Sequence, residues 1–184
     1  MDRRRRQWLT QAALGTVALG APALRAQTAP SEVASEWPQA RLVGRGQMRF
    51  VGLRIYDAWL WSPARPTAED WASQPLALEL QYARKLVGVQ IAERSLEEMR
   101  RQGPIAPALA ERWLSTMKTT FPDVREGDRL TGVYRPGAAA RFFHNGAARG
   151  EWSDPAMAQR FFGIWLSPQT SEPALREALL GGRA

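Results

Sequence analysis

Two stretches carry the residue types that could grip a small acidic or phenolic molecule. One is "GRGQMRFVGLRIYDAWLWSP", residues 44–63, which holds Tyr56; the other is "LALELQYAR", residues 76–84, which ends in Tyr82 and Arg84. In the second, Leu76, Leu78, Leu80 and Tyr82 alternate with Ala77, Glu79, Gln81 and Ala83, the period-two signature of a strand with one buried face. Extending that alternation puts Arg84 on the leucine face, where a guanidinium could meet a carboxylate with two parallel hydrogen bonds. Met48, Tyr56, Tyr82 and Arg84 are therefore the candidate ligand-binding residues. The same side chains also admit a plain structural role, with Arg84 bonding a helix or Glu93 and the tyrosines filling the core.

Most other chemistry is excluded by counting. The chain has no cysteine and a single histidine, which removes disulfides, thiolate zinc sites, a cysteine nucleophile and multi-histidine metal sites. That histidine, His144, adjoins an Asn-Gly turn and reads as a solvated hairpin residue, not a general base. Asp123, Glu126 and Asp128 lack the spacing of a calcium loop. Gly44 and Gly46 open a strand and precede no helix, so a nucleotide cradle fails on context. No catalytic group, cofactor or metal site is expected.

The elements that must position these residues follow from periodicity. Residues 27–39 are polar and punctuated by proline, which predicts a linker, with a first edge strand at about 39–43. From Met48 to Trp61 the pattern is strand, interrupted at Gly52 by a bulge or tight bend, as two strands or one bent strand. After the strand at 76–82, Val89, Ala92, Leu96 and Met99 recur at helical spacing, and a second helix opens near Pro107 with Leu109, Trp113, Met117 and Phe121 on one side. Pro136-Gly137 and Asn145-Gly146 divide residues 129–152 into a three-stranded meander. Asp154 caps a further helix, and a short one ends at Gly181. The order predicts one α+β domain over residues 40–184, an antiparallel sheet with helices layered on one side.

The same motifs, in this order, resemble the chalcone isomerase-like family, in particular its bacterial exported branch. The resemblance rests on the stretch at 44–61, "FPDVREGDRLTGVYRPG", "FHNGAARGEW" and "FFGIWLSPQTSEPALREALLG", and covers residues 40 to 181. It implies an open-faced β-sandwich with a ligand cleft between sheet and helices. The resembled enzymes cyclise a chalcone to a flavanone, which needs a cation to favour the phenolate and donors to hold the ketone. They supply an arginine after the glycine pair, a threonine on the next strand and a tyrosine at the start of the first long helix; here those places fall to Met48, Tyr56 and Val87. Arg49, one residue on, should face the other side of the strand. The resemblance thus implies a cleft that has lost its cation, and because the family includes fatty-acid-binding members, a small amphipathic or acyl ligand is expected. Two alternatives remain: an isomerase (intramolecular lyase) acting on a non-plant substrate, and an envelope protein-interaction module using tryptophans such as Trp59 and Trp61, which otherwise pack as core.

The first 26 residues, "MDRRRRQWLTQAALGTVALGAPALRA", have a basic start, a short apolar middle and a small-residue end, the build of a signal peptide cleaved after Ala23 or Ala26. The Arg5-Arg6-Gln7-Trp8-Leu9 run fits a twin-arginine signal, so a periplasmic location is expected. The apolar middle is too short to span a bilayer. Without the leader's five arginines and one aspartate the chain keeps 20 basic and 17 acidic side chains, interspersed. A nucleic-acid partner would need a concentrated basic stripe instead, so none is expected.

Overall fold

The structure, a computed structural model, describes residues 28–182; the leader lies outside the described residues. Six antiparallel strands form one sheet in the order β1-β2-β3-β4-β5-β6, each beside its sequence neighbour. They are β1 (Arg41–Phe50), β2 (Leu53–Ser62), β3 (Leu76–Tyr82), β4 (Arg129–Arg135), β5 (Ala139–His144) and β6 (Ala147–Trp152). The helices are α1 (Ser31–Glu36), α2 (Gly88–Arg100), α3 (Pro107–Thr120), α4 (Pro155–Leu166) and α5 (Pro173–Leu179).

Strand alternation divides the core in two. Ala58, Leu60, Leu78, Leu80, Tyr82, Leu130 and Phe142 point to the face covered by α2–α5 and join Met99, Met117, Phe161, Phe162 and Trp165 in the main core. Their neighbours Trp61, Ala77, Val133 and Phe143 point the other way and gather around Val33 of α1. Residues 31–36, within the stretch expected to be a linker, form the packed helix α1. Val33 is the one buried apolar side chain of α1, and one such residue leaves no helical periodicity to read. What fixes α1 is charge: Glu32 accepts from the Thr131 hydroxyl at 2.7 Å and from Arg129 at 3.2 Å, while Glu36, one turn on, pairs with Arg135 and Arg141.

In the first hairpin the break expected at Gly52 is present, and what differs is the extent of the first strand. β1 is continuous through Gly44 and Gly46, and its irregularities fall between Leu42 and Gly44 and between Met48 and Arg49. Gly52 marks a two-residue hairpin turn, with Phe50 paired to Leu53 and Val51 and Gly52 at φ 49° and 76°. Positive φ at both central residues is what a type I′ turn requires. The turn between β5 and β6 uses the same geometry with Asn145 and Gly146, at φ 51° and 84°.

Gly44 and Gly46 have a packing purpose. A Cβ on Gly44 would lie 2.1 Å from the Ala178 carbonyl oxygen and 2.4 Å from that of Leu179, so α5 rests directly on the β1 backbone. The helical hairpin of α2 and α3, the Asp154 cap (accepting from the Ala156 and Met157 N–H groups) and the β4-β5-β6 meander follow the predicted order. Val89 departs from it. It is exposed in the first turn of α2, although Ala92, Leu96 and Met99 on the same helical spacing are buried.

Candidate functional site

The register places three of the four predicted site residues side by side. Met48 pairs with Tyr56 across β1-β2 and Tyr56 with Tyr82 across β2-β3, so the three form one row across the sheet. Residues directly opposite in adjacent strands share a face, and all three line a cavity of about 350 Å³ between the sheet and α2, α4 and the α4-α5 loop. That volume is within the range of small-molecule sites, roughly 300–1,000 Å³. The walls are chiefly apolar, built from Leu78 and Leu80 of the sheet, Ile91 of α2, Phe121, and Phe161, Ile164 and Trp165 of α4.

Tyr56 and Tyr82 are held differently. Their rings meet edge to face at 5.9 Å between centroids. The Trp165 indole N–H donates to the Tyr56 hydroxyl at 2.9 Å, which ties α4 to the sheet and fixes the phenol. Burial pushes both phenols well above the ordinary tyrosine value of about 10, against the Trp165 hydrogen bond in the case of Tyr56 and with the neighbouring Tyr56 adding to it for Tyr82. Both are neutral hydroxyls at physiological pH and neither can act as a phenolate base. The Tyr82 hydroxyl has no hydrogen-bond partner among the described residues and remains free to donate to a guest.

Arg84 is not part of this site. The ladder of β3 ends at Tyr82, whose N–H donates to the Asp128 carbonyl and whose carbonyl accepts from the Gly127 N–H. The chain then bends toward the Leu86–Val124 bridge, so the alternation that would put Arg84 on the leucine face stops two residues short of it. Arg84 is absent from the described cavity lining, as are Arg49, which is exposed and donates to the Gly52 carbonyl, and Val87, the exposed N-cap of α2. A bulge does occur between Met48 and Arg49, yet Arg49 still points outward.

The cation at the cavity is Arg94, nearly two turns into α2. It donates to Glu98 at 2.5 Å and to Glu97 at 3.4 Å. Glu98 is buried; its second carboxylate oxygen lies 3.6 Å from the Arg101 Nε, too far for a hydrogen bond, and is left without one. Arg94 and Glu98, with Gln90, Ser95 and Glu172, supply polar groups to an otherwise chiefly apolar lining. A signal was available in the sequence: Ile91, Ser95 and Glu98 recur at four and three residues, which puts Glu98 on an inward helix face. An arginine four residues before a glutamate reads first as a solvated surface pair, and that masked it.

Elsewhere the chemistry is structural. His144 stands 3.5 Å from Asp128 at the hairpin, away from the cavity, and Trp59 and Trp61 lie on the opposite sheet face under α1, where the Trp61 indole donates to the buried Glu79. Among the described residues there is no group of three metal-ligating side chains, and no helix is long and apolar enough to cross a membrane.

An antiparallel meander with α2–α5 on one face, the short α1 on the other and an apolar chamber beneath the larger helical layer defines an open-faced α+β sandwich. The chain belongs to the chalcone isomerase-like family, whose model matches residues 24–181. It is similar to an uncharacterised protein of Haemophilus influenzae, 26% identical over 139 residues, which cover 76% of this chain and 67% of that protein. Among solved structures it matches the crystal structure of a fatty-acid binding protein of Arabidopsis thaliana with a TM-score of 0.59 over 78% of this chain and 87% of the other. At 13% identity that likeness speaks to the fold alone.

Proposed function

We propose that the protein is an exported, non-catalytic binding protein that holds a small amphipathic, fatty-acid-like molecule in the chamber between sheet and helices. The observation that carries this reading is the cavity itself: about 350 Å³ of mainly apolar space with Arg94 in its lining and a thioether, Met48, in the row with Tyr56 and Tyr82. An acyl chain fits the apolar walls. Its carboxylate would be met by the Arg94 donors that Glu97 and Glu98 leave free and by the Tyr82 hydroxyl. The structural neighbour is a fatty-acid binding protein, in agreement with that ligand class. Export through a twin-arginine leader cleaved after Ala23 or Ala26, and a periplasmic location, complete the proposal.

The test is native mass spectrometry with lipid extraction of protein purified from the periplasm, followed by titration with saturated fatty acids of graded length. Trp165 lines the cavity, so its fluorescence reports filling, with Trp165→Phe as the control. Absence of any extracted lipid together with a flat titration across the whole series would end this reading.

One observation favours the second reading, an isomerase acting on a non-plant substrate. Arg94, Glu98 and two neutral tyrosine hydroxyls face one chamber, a set from which a cation and hydrogen-bond donors could be drawn. A spectroscopic assay on hydroxylated chalcones decides it: turnover lost in Arg94→Ala or Tyr82→Phe but kept in Arg49→Ala would favour catalysis over binding. An interaction module built on Trp59 and Trp61 has no such observation, since both pack beneath α1.

A further inference from the structure

The exposed large apolar side chains among the described residues, Phe50, Val51, Leu53, Val87 and Val89, all occur at one end of the molecule. Three belong to the tip of the β1-β2 hairpin and two to the start of α2. The cavity opens between the same two elements: of its lining residues the exposed ones are Phe50 on the hairpin and Gln90 and Arg94 on the first turns of α2.

Val51 is the anomaly in this patch. It is 84% exposed, so packing does not hold it there, and at φ 49° it occupies the left-handed region that a β-branched residue resists. The other I′ turn of the chain puts asparagine at the equivalent place. A strained residue that gains nothing inside the fold points to a purpose outside it. Around the tip stand Arg49 and Arg54, cross-strand partners, and Arg84 and Lys85 on the bend after β3. Two acids oppose them, Asp57, which is paired with Arg54, and Glu126 nearby.

We propose that this end, the β1-β2 tip with the start of α2, docks on the surface of an anionic phospholipid bilayer and presents the mouth of the cavity to it. A protruding apolar tip flanked by cations is the geometry of interfacial insertion, apolar groups entering the headgroup boundary while arginine and lysine meet lipid phosphates. The docking does not depend on the ligand class, and vesicle binding without added ligand reads it separately from the fatty-acid titration.

The experiment is flotation of the purified mature chain with vesicles of equal parts phosphatidylcholine and phosphatidylglycerol, and with phosphatidylcholine alone. Binding to the anionic vesicles is expected, weakening as salt is added. Phe50→Ser and Leu53→Ser should each lower the partition coefficient by about tenfold. Val51→Asn should lower it without loss of fold, since it installs the turn residue used at Asn145, and should leave the fatty-acid titration unchanged because Val51 does not line the cavity. The proposal is overturned if the wild-type chain stays with the unbound fraction at low salt, or if the three variants float as well as it does. It is equally overturned if sedimentation shows the patch closed in a concentration-dependent dimer that Val51→Asn dissolves.

Discussion

Replacing Gly44 with alanine tests the contact that closes the sandwich. The added Cβ would lie 2.1 Å from the Ala178 oxygen, 2.4 Å from the Leu179 oxygen and 2.7 Å from the Leu179 carbonyl carbon, all backbone atoms of α5. No side-chain rotation relieves such a clash, so the last turn of α5 must retreat by about 1 Å. Leu175 and Leu179, both buried, anchor that helix to the core. Full burial of a leucine contributes about 1.5–3 kcal/mol, and loosening both puts the loss at about 2–4 kcal/mol, less the few tenths that alanine returns by restricting the unfolded chain. For a domain of this size that is a fall in Tm of about 5–15 °C. Gly46→Ala is the internal control. Its Cβ meets the movable Leu175 Cδ1 at 2.5 Å and the Ala178 Cβ at 3.3 Å, for a cost of about 1 kcal/mol. Urea denaturation followed by tryptophan fluorescence measures both. If Gly44→Ala proves as stable as Gly46→Ala, the account of α5 resting on the β1 backbone is wrong.

Filling the chamber should abolish uptake without unfolding the protein: Leu80→Trp, from the sheet side of the cavity, is expected to weaken fatty-acid binding at least about tenfold, measured by calorimetric titration. Stability should fall as pH rises past the ordinary tyrosine value of about 10, because Tyr56, Tyr82 and Tyr134 all have raised values in the fold and only the unfolded chain can ionise them there. Their contribution is complete below that pH, and near-ultraviolet titration should show tyrosinate appearing together with loss of structure, not before it. On α1, Glu32→Ala should cost about 2 kcal/mol, since it removes the buried acceptor of Thr131 and Arg129, whereas Glu36→Ala, whose arginine partners are well exposed, should cost under about 1 kcal/mol. Equal losses in denaturant titration would refute that ordering.

Where an element's own side chains carry its pattern, the sequence sufficed. β3 alternates cleanly, α2 and α3 carry helical spacing with proline and glycine at their ends, and Asn145-Gly146 names its own turn. The unread features depend on partners distant in the chain. α1 has one fully buried apolar residue and is held by Thr131, Arg129, Arg135 and Arg141, nearly a hundred positions away. Val51-Gly52 was obscured because valine disfavours the very turn it occupies. Of the site, Met48, Tyr56 and Tyr82 were picked out singly, but only the strand register makes them a row. The alternation of β3 cannot place Arg84, which lies beyond the end of that strand, and Arg94 and Glu98 have a spacing typical of a solvated helix.

The sheet is a pure meander, yet its first strand is covered by the last helix. Every β pairing joins sequence neighbours, apart from the excursion through α2 and α3, and demands little loop closure. Seating α5 on β1 demands the most, because nearly the whole described chain must be organised first. A nascent chain stalled before residue 173 would therefore already carry the sheet and the helices that wall the chamber, but would leave β1 uncovered along Gly44 and Gly46.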